Sequence, residues 1–396
     1  MTTTTEAPAT TLPHIVATPA PPQQLRTLGG ITRADMLDVG GAALSSIAIG
    51  FLLFGLLTPL HGVVGQVLVT FALYLVVYAM LVSLHDDRPA VVSKVMTALL
   101  GAATFCAFAA LASVVFYTLY KGWEVLRRPN FYLEDMSETG PLQPLSEGGI
   151  KHAIVGTLII ITIASVLTVP LGLVCAVFIN ETKSRLAGTV RTVVDAMTAL
   201  PSIVAGLFIF ALFILILGWP RSGLAAAIAM SVMMLPIIIR SADVVLRIVP
   251  GNLREASAAL GAPLWRTVWH VVLPTARSGL ATAVILGIAR GVGETAPVLL
   301  VSGSTAAFNA NPRSNPMMSL PLATYEFVRA PQEELQTRGF GAAAVLMVLV
   351  LTLFVLARIV GGRGAGQLSR RQTRRAGAQS ARDLARMEAH AQEVQA

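Results

Sequence analysis

The sequence predicts an all-α protein, a polytopic bundle of membrane-spanning helices. Hydrophobic residues make up 55% of the 396 residues and charged residues only 13%, with a mean hydropathy of +0.71. A soluble domain carries about 25% charged residues, so this chain has too little polar surface to stay in water. Eight apolar stretches are long enough to cross a bilayer, which takes about 20 residues in helical form. Helix is also the form such a segment must take in lipid, where the backbone has to satisfy its own hydrogen bonds.

Residues 1–35 are rich in Thr, Pro and Ala, with the first basic residue at Arg26. No charged segment there leads into an apolar one, so this is not a signal peptide; it reads as a disordered cytoplasmic tail. The spans are expected near 41–60, 62–83, 95–120, 152–180, 190–218, 222–240, 277–301 and 339–361. Threaded alternately from an inner start, the inner connections hold 20 of the 29 Lys and Arg and the outer ones 8, with Arg290 inside a span. Basic residues favour the cytoplasmic side, so both termini are expected there. The long outer connections, 121–151 and 302–338, are either meeting places for an external partner or plain connectors. Pro170, Pro201, Pro236 and Pro297 interrupt spans. They mark kinks along a pathway or packing irregularities, since neighbours or water can re-satisfy the freed carbonyls. Residues 363–396 form a basic cytoplasmic tail, solvated or resting on anionic membrane lipid, where each basic residue contributes about 1 kcal/mol.

The net charge of +8 lies between spans and in this tail rather than on a folded basic face, which argues against nucleic acid as a partner. Cys106 and Cys175 sit in apolar runs and read as small apolar residues, with no disulfide framework and no metal site. His152 and His270 read as interfacial residues, and Asp195 is placed to pair with Arg191. No G-x-x-x-x-G-K-[ST] loop is present, so the chain itself is expected to need no cofactor and to hold no ATP in such a loop.

Two stretches carry chemistry. The first is the inner connection Asn252–Pro274. Asn252 is placed to cap a short helix with Glu255 as its reciprocal partner. Arg254–Leu260 supplies two helical turns, and Gly261 suits a left-handed terminating position. Pro263 opens a second helix, which Pro274 is expected to stop. The second stretch is ILGIARGVGETAPVLLV in the seventh span. Arg290 and Glu294 fall on one helix face, and burying either costs roughly 2.5–3.5 kcal/mol near a span centre. The pair is either a structural clasp between helices or part of an anion path. In the second case the guanidinium offers a fork to oxyanion oxygens and Glu294 keeps the binding weak. Gly291 and Gly293 clear space for a helix or a ligand, and Thr295 adds a hydroxyl.

Glu255-Ala256-Ser257, Gly261 and then Val271-Val272-Leu273-Pro274 resemble the EAA loop of ABC-importer permeases, with Ser257 in place of the second Ala and Val271 in place of the usual Ile. GGIKHAIVGTL at 148–158, VPLGL at 169–173, ALPSIVAGLF at 199–208 and ARGVGETAP at 289–297 resemble, in the same order, the PstA-type subunits of phosphate ABC importers. The resemblance implies a six-span type I permease core at 95–362, preceded at 36–94 by two extra spans without an assigned role. It implies that Glu255, Ala256, Ser257, Gly261, Leu273 and Pro274 couple to an ATPase, and that Arg290, Glu294 and Thr295 belong to the substrate path. The partners it implies are a PstC-type permease subunit, two copies of a PstB-type ATPase that bind the ATP, and an extracytoplasmic phosphate-binding protein. A permease for another oxyanion such as sulfate or molybdate, or a stand-alone secondary transporter, are the alternative readings. An intramembrane enzyme is disfavoured, because no nucleophile–base pair is evident.

Overall fold

The computed structural model describes residues 33–57, 62–182, 184–361 and 370–395. The tail expected at 1–35 therefore lies outside the described residues up to position 32. The described chain is helical throughout its apolar stretches and divides into two compact units, the first ending at Leu111 and the second starting at Ala112.

The first unit holds α1 (Arg33–Leu52), which loosens into a wider π turn at Leu53–Leu57, then α2 (Val63–Ser83) and the first part of α3 (Arg88–Leu126). Ala42, Tyr78 and Val82 are buried together, with Val91 and Val95 of α3 against them. Tyr74 and Tyr78 stack with ring centroids 5.6 Å apart. Lys94 closes one end, 2.6 Å from Asp35 and 2.8 Å from Asp86.

In the second unit α3 ends where Gly122 meets the backbone of Gly341, so that two helices touch nearly backbone to backbone. There follow α4 (Asn130–Leu133), α5 (Lys151–Glu181), α6 (Arg185–Ala199), α7 (Ser202–Ile209, continued by a π segment to Ile216), α8 (Gly223–Ile248), α9 (Gly251–Ala259), α10 (Leu264–Thr267, continued by a π turn to Val272), α11 (Leu273–Val292), α12 (Ala296–Ser302), α13 (Leu320–Arg329), α14 (Glu333–Gly361) and α15 (Arg370–Gln395). The basic tail thus contains a described helix. Central to the unit is α8, whose apolar window is 56% buried, more than any other candidate span. On α11 the small residues Gly279, Ala283, Gly287 and Gly291 recur every four positions. A Cβ at Gly279, Gly287 or Gly291 would strike Val245, Ile238 or Met234 of α8. Small residues at this spacing let membrane helices approach closely.

Among the described residues seven helices are long and apolar enough to span, or eight if a bent pair counts as one. That pair corrects the expected span 190–218: α6 and α7 meet at 104°. The cause is Pro201, which pushes Leu200 into an extended conformation with ψ 130° and ends α6. The expected span 277–301 is also broken, since α11 stops at Val292 and α12 starts at Ala296.

At one end of the unit, the connections 127–150 and 302–338 interlock rather than hang free. Asn130 donates its side-chain amide to the Leu145 and Gly148 carbonyls at 3.2 and 2.9 Å. The Phe308 N–H donates to Asp135 at 2.8 Å, and the Met136 N–H donates to the Ala306 carbonyl at 3.0 Å. Arg338, fully buried, donates to the carbonyls of Gln143, Pro144 and Glu147. From this cap α5 runs 31 residues to the opposite end, about 46 Å at 1.5 Å per residue.

Candidate functional site

The hairpin Gly251–Val272 stands at the end of the second unit away from that cap. Its first helix starts directly after Pro250 and runs to Ala259, which places Asn252 inside the helix; the expected Asn252 cap is not made. Pro250, already fixed in φ and lacking an N–H, supplies the boundary instead. Gly261 behaves as its sequence position predicts, with φ +76°. Its N–H donates to the Ala258 carbonyl, and that of Ala262 donates to the Ser257 carbonyl at 3.2 Å. This is the paired bonding of a glycine-terminated helix. Ser257, the departure from the usual alanine, has a role of its own, because its hydroxyl lies 2.8 Å from that of Thr267 and staples the two arms together.

Pro274 does not stop the second arm. A π turn at Val268–Val272, closed by the Leu273 N–H on the Val268 carbonyl, carries the helix through into α11. Pro274 follows closely on that π turn, where the widened bonding accommodates its missing N–H. The second arm and α11 consequently form one rod. Glu255, Ala256 and Gly261 are exposed on the hairpin, Ser257 and Leu273 are half-buried and Pro274 is exposed. Beside them Leu260, Leu264, Trp265 and Trp269 are also exposed, Leu260 at 88%. An exposed apolar group of this kind marks a contact with protein or with membrane.

Sequence reasoning missed the anchor of this hairpin. Arg254 donates to Glu181 at the end of α5 at 2.9 Å and to the terminal carbonyls Leu246 and Val249 of α8 at 3.0 and 2.8 Å. The Glu181 side chain is only 7% exposed. Next to it the largely buried Asp243 takes Arg247 at 2.7 Å and lies 3.9 Å from Arg191. The expected Arg191–Asp195 pair is replaced by Arg240–Asp195 at 2.7 Å, because the turn at Pro201 brings α6 across α8.

Arg290 and Glu294 do pair, Nε to Oε1 at 3.1 Å. Arg290 lies in the last turn of α11, where a cation is favoured by the helix dipole. Its side chain is 62% exposed while that of Glu294 is 11% exposed. The pair therefore presents its positive member outward and keeps its negative member tucked in. Glu294 and Thr295 occupy the break between α11 and α12, so the chemistry sits where the helix opens rather than within a continuous span. Gly291 is filled by Met234, which makes it a helix-packing position; the surroundings of Gly293 stay open. The hairpin and the pair are not brought together. They lie along one rod, Leu273 to Arg290 separating them by about 26 Å. His152, expected at an interface, is instead buried at 2% exposure, whereas His270 is exposed.

The fold defines a class: a multi-pass α-helical membrane protein with a firmly anchored hairpin at one end of its helices. Residues 168–362 match the family described as binding-protein-dependent transport system inner membrane component. The "Phosphate transport system permease protein PstA 1" of Mycobacterium tuberculosis is 38% identical over 251 residues, 63% of this chain and 82% of that one. The PstA permease protein of Pasteurella multocida is 34% identical over 269 residues, 67% of this chain and 93% of that one. A solved chain of the MetNI methionine ABC transporter aligns at 22% identity and a TM-score of 0.43, over 52% of this chain and 91% of that one. The chain belongs to the PstA family of transport-system permease proteins.

Proposed function

We propose that the chain is the membrane permease subunit of an ATP-driven phosphate importer working by alternating access. The observation that carries this reading, beside the family, is the continuity of the rod from an exposed docking hairpin to the Arg290–Glu294 pair. The hairpin, through Glu255, Ala256, Ser257, Gly261, Leu273 and Pro274, receives a separate PstB-type ATPase, of which the assembly holds two copies. Nucleotide is bound there and not on this chain. A PstC-type permease subunit completes the path, and an extracytoplasmic phosphate-binding protein delivers the substrate to the cap. Both termini then lie in the cytoplasm.

In this mechanism closure of the ATPases displaces the hairpin. Because Arg254 fixes the hairpin to the ends of α5 and α8, the displacement moves those helices and not merely a loop. The rod carries the motion to the break at residues 293–295, where the Arg290 guanidinium meets the anion. Glu294 competes for the same guanidinium, so the anion is held weakly enough to leave. The test is uptake of radiolabelled phosphate by the reconstituted assembly in the presence of excess sulfate or molybdate. Uptake that only unlabelled phosphate suppresses supports the reading, and uptake suppressed equally by molybdate or sulfate overturns the assignment of phosphate.

A further inference from the structure

We propose that the cavity around His152 and Glu326, in the cap at the end of the bundle away from the hairpin, is a socket for a lysine or arginine side chain of the extracytoplasmic binding protein. The inference rests on the permease reading above and adds the chemistry of the contact.

The cavity has a volume of 310 Å³. His152, at the start of α5, is 2% exposed and lines it with neither ring nitrogen hydrogen-bonded. Buried polar atoms without partners are rare in native proteins and costly to leave unpaired. An imidazole left in this state is poised to accept an N–H from something that enters. Glu326 on α13 faces the same space. Burial pushes its carboxyl above the usual range, with the Ser304 hydroxyl pulling the other way. Thr139, Ser304 and Thr305 add three hydroxyls, and no Lys or Arg is among the lining residues. The cavity therefore offers one carboxylate with no basic side chain in its lining, an imidazole with an unused acceptor nitrogen, and hydroxyls that can accept as well as donate.

With Glu326 present and no basic side chain beside it, the cavity repels an oxyanion such as phosphate and favours a cation. Among the described residues no three His, Cys, Asp or Glu side chains gather to hold a metal ion. The remaining walls, Met136, Met318, Phe327 and Leu335, are apolar and suit the aliphatic stem of a long basic side chain. An adjoining recess of 530 Å³ shares Thr139 and carries Glu134, Asp135, Glu138 and Glu147. Its negative field draws a cation to the mouth and speeds docking, whereas the enclosed Glu326 holds it once there.

The experiment uses the complete reconstituted assembly and measures the affinity of the binding protein for it, with phosphate uptake read in parallel. Glu326→Gln keeps the shape and removes the charge. We expect it to weaken docking at least tenfold while thermal stability holds or rises, because the desolvated charge is gone. Glu138→Gln, on the exposed rim, should change affinity less than about twofold at physiological salt. Photo-crosslinking from Thr139 should then identify a lysine or arginine of the binding protein, and reversing that residue to an acid should restore docking to a Glu326→Lys assembly. Unchanged docking in Glu326→Gln, with uptake intact, overturns the socket and leaves the permease reading standing. A crosslink to an apolar or acidic segment likewise overturns it. An assembly in which even the wild type transports no phosphate refutes the reading beneath it.

Discussion

At the scale of single residues the account turns on where each arginine finds its counter-charge. Arg290 has a single acidic partner at 3.1 Å and a largely exposed side chain, so it is available to a passing anion. Arg290→Gln should abolish phosphate uptake in the reconstituted assembly while the subunits still co-purify. Uptake within twofold of wild type would refute a role in the path. Arg254 is the opposite case, a charge committed to Glu181, the Asn180 side chain and the carbonyls of Leu246 and Val249. Arg254→Ala leaves the nearly buried Glu181 unpaired and should lower the unfolding free energy in detergent by on the order of 2 kcal/mol. Arg254→Lys, lacking the planar fork, should recover only part of the loss, and the check is the midpoint of thermal unfolding for the three proteins. The first arginine was legible in the sequence because an ionised group stands out in an apolar run. The second was not, since Glu181 is 73 positions away and nothing local announces the pairing.

At the scale of elements the hairpin separates backbone from surface. Gly261 has φ +76° and open space where a Cβ would project. A residue with a side chain there meets backbone strain of about 1–3 kcal/mol but no clash within the chain. Asn tolerates this conformation better than a β-branched residue such as Val. Gly261→Asn should therefore leave the permease folded, and any loss of ATPase co-purification in that variant reports the approach of a partner backbone. Normal co-purification with normal coupled ATP turnover would remove Gly261 from the docking surface. The turn was legible because Gly261 and Pro263 are strong local punctuation. The rod was not: Pro274 reads as a stop, and only the π turn before it shows how the helix runs on. Pro201 was legible as an interruption of its span, but the 104° turn there was not, because hydropathy counts how apolar a stretch is and says nothing of its direction. Gly287→Leu tests the close packing of α8 on α11. It drives a side chain into Ile238 and should cost about 1–3 kcal/mol, read as a lower unfolding midpoint.

Across the whole molecule two ends of the second unit do different work. One tie in the cap, from the Phe308 N–H to Asp135, depends on the charge of a carboxylate. The Ser137 hydroxyl, together with the backbone N–H groups of Ser137 and Phe308, holds the Asp135 carboxyl below its usual range. A depressed carboxylate contributes stability above its unfolded pKa and loses it as pH falls through the folded one. The Phe308 amide should therefore exchange with solvent faster below the ordinary Asp range near 3.8, and Asp135→Asn should show the faster exchange at neutral pH as well. Protection independent of pH in the wild type would contradict this tie. The spans of this plan were readable from apolar runs alone, whereas the interlocked cap was not, because its bonds join positions up to 195 residues apart. In the proposed mechanism the opposite end takes in energy from a nucleotide-binding partner and passes it along the rod to the anion. The most direct test is phosphate accumulation in vesicles carrying the permease subunits and binding protein, with and without the ATPase and ATP. The account predicts accumulation against a gradient only when both are present; accumulation by the permease subunits without the ATPase would contradict it.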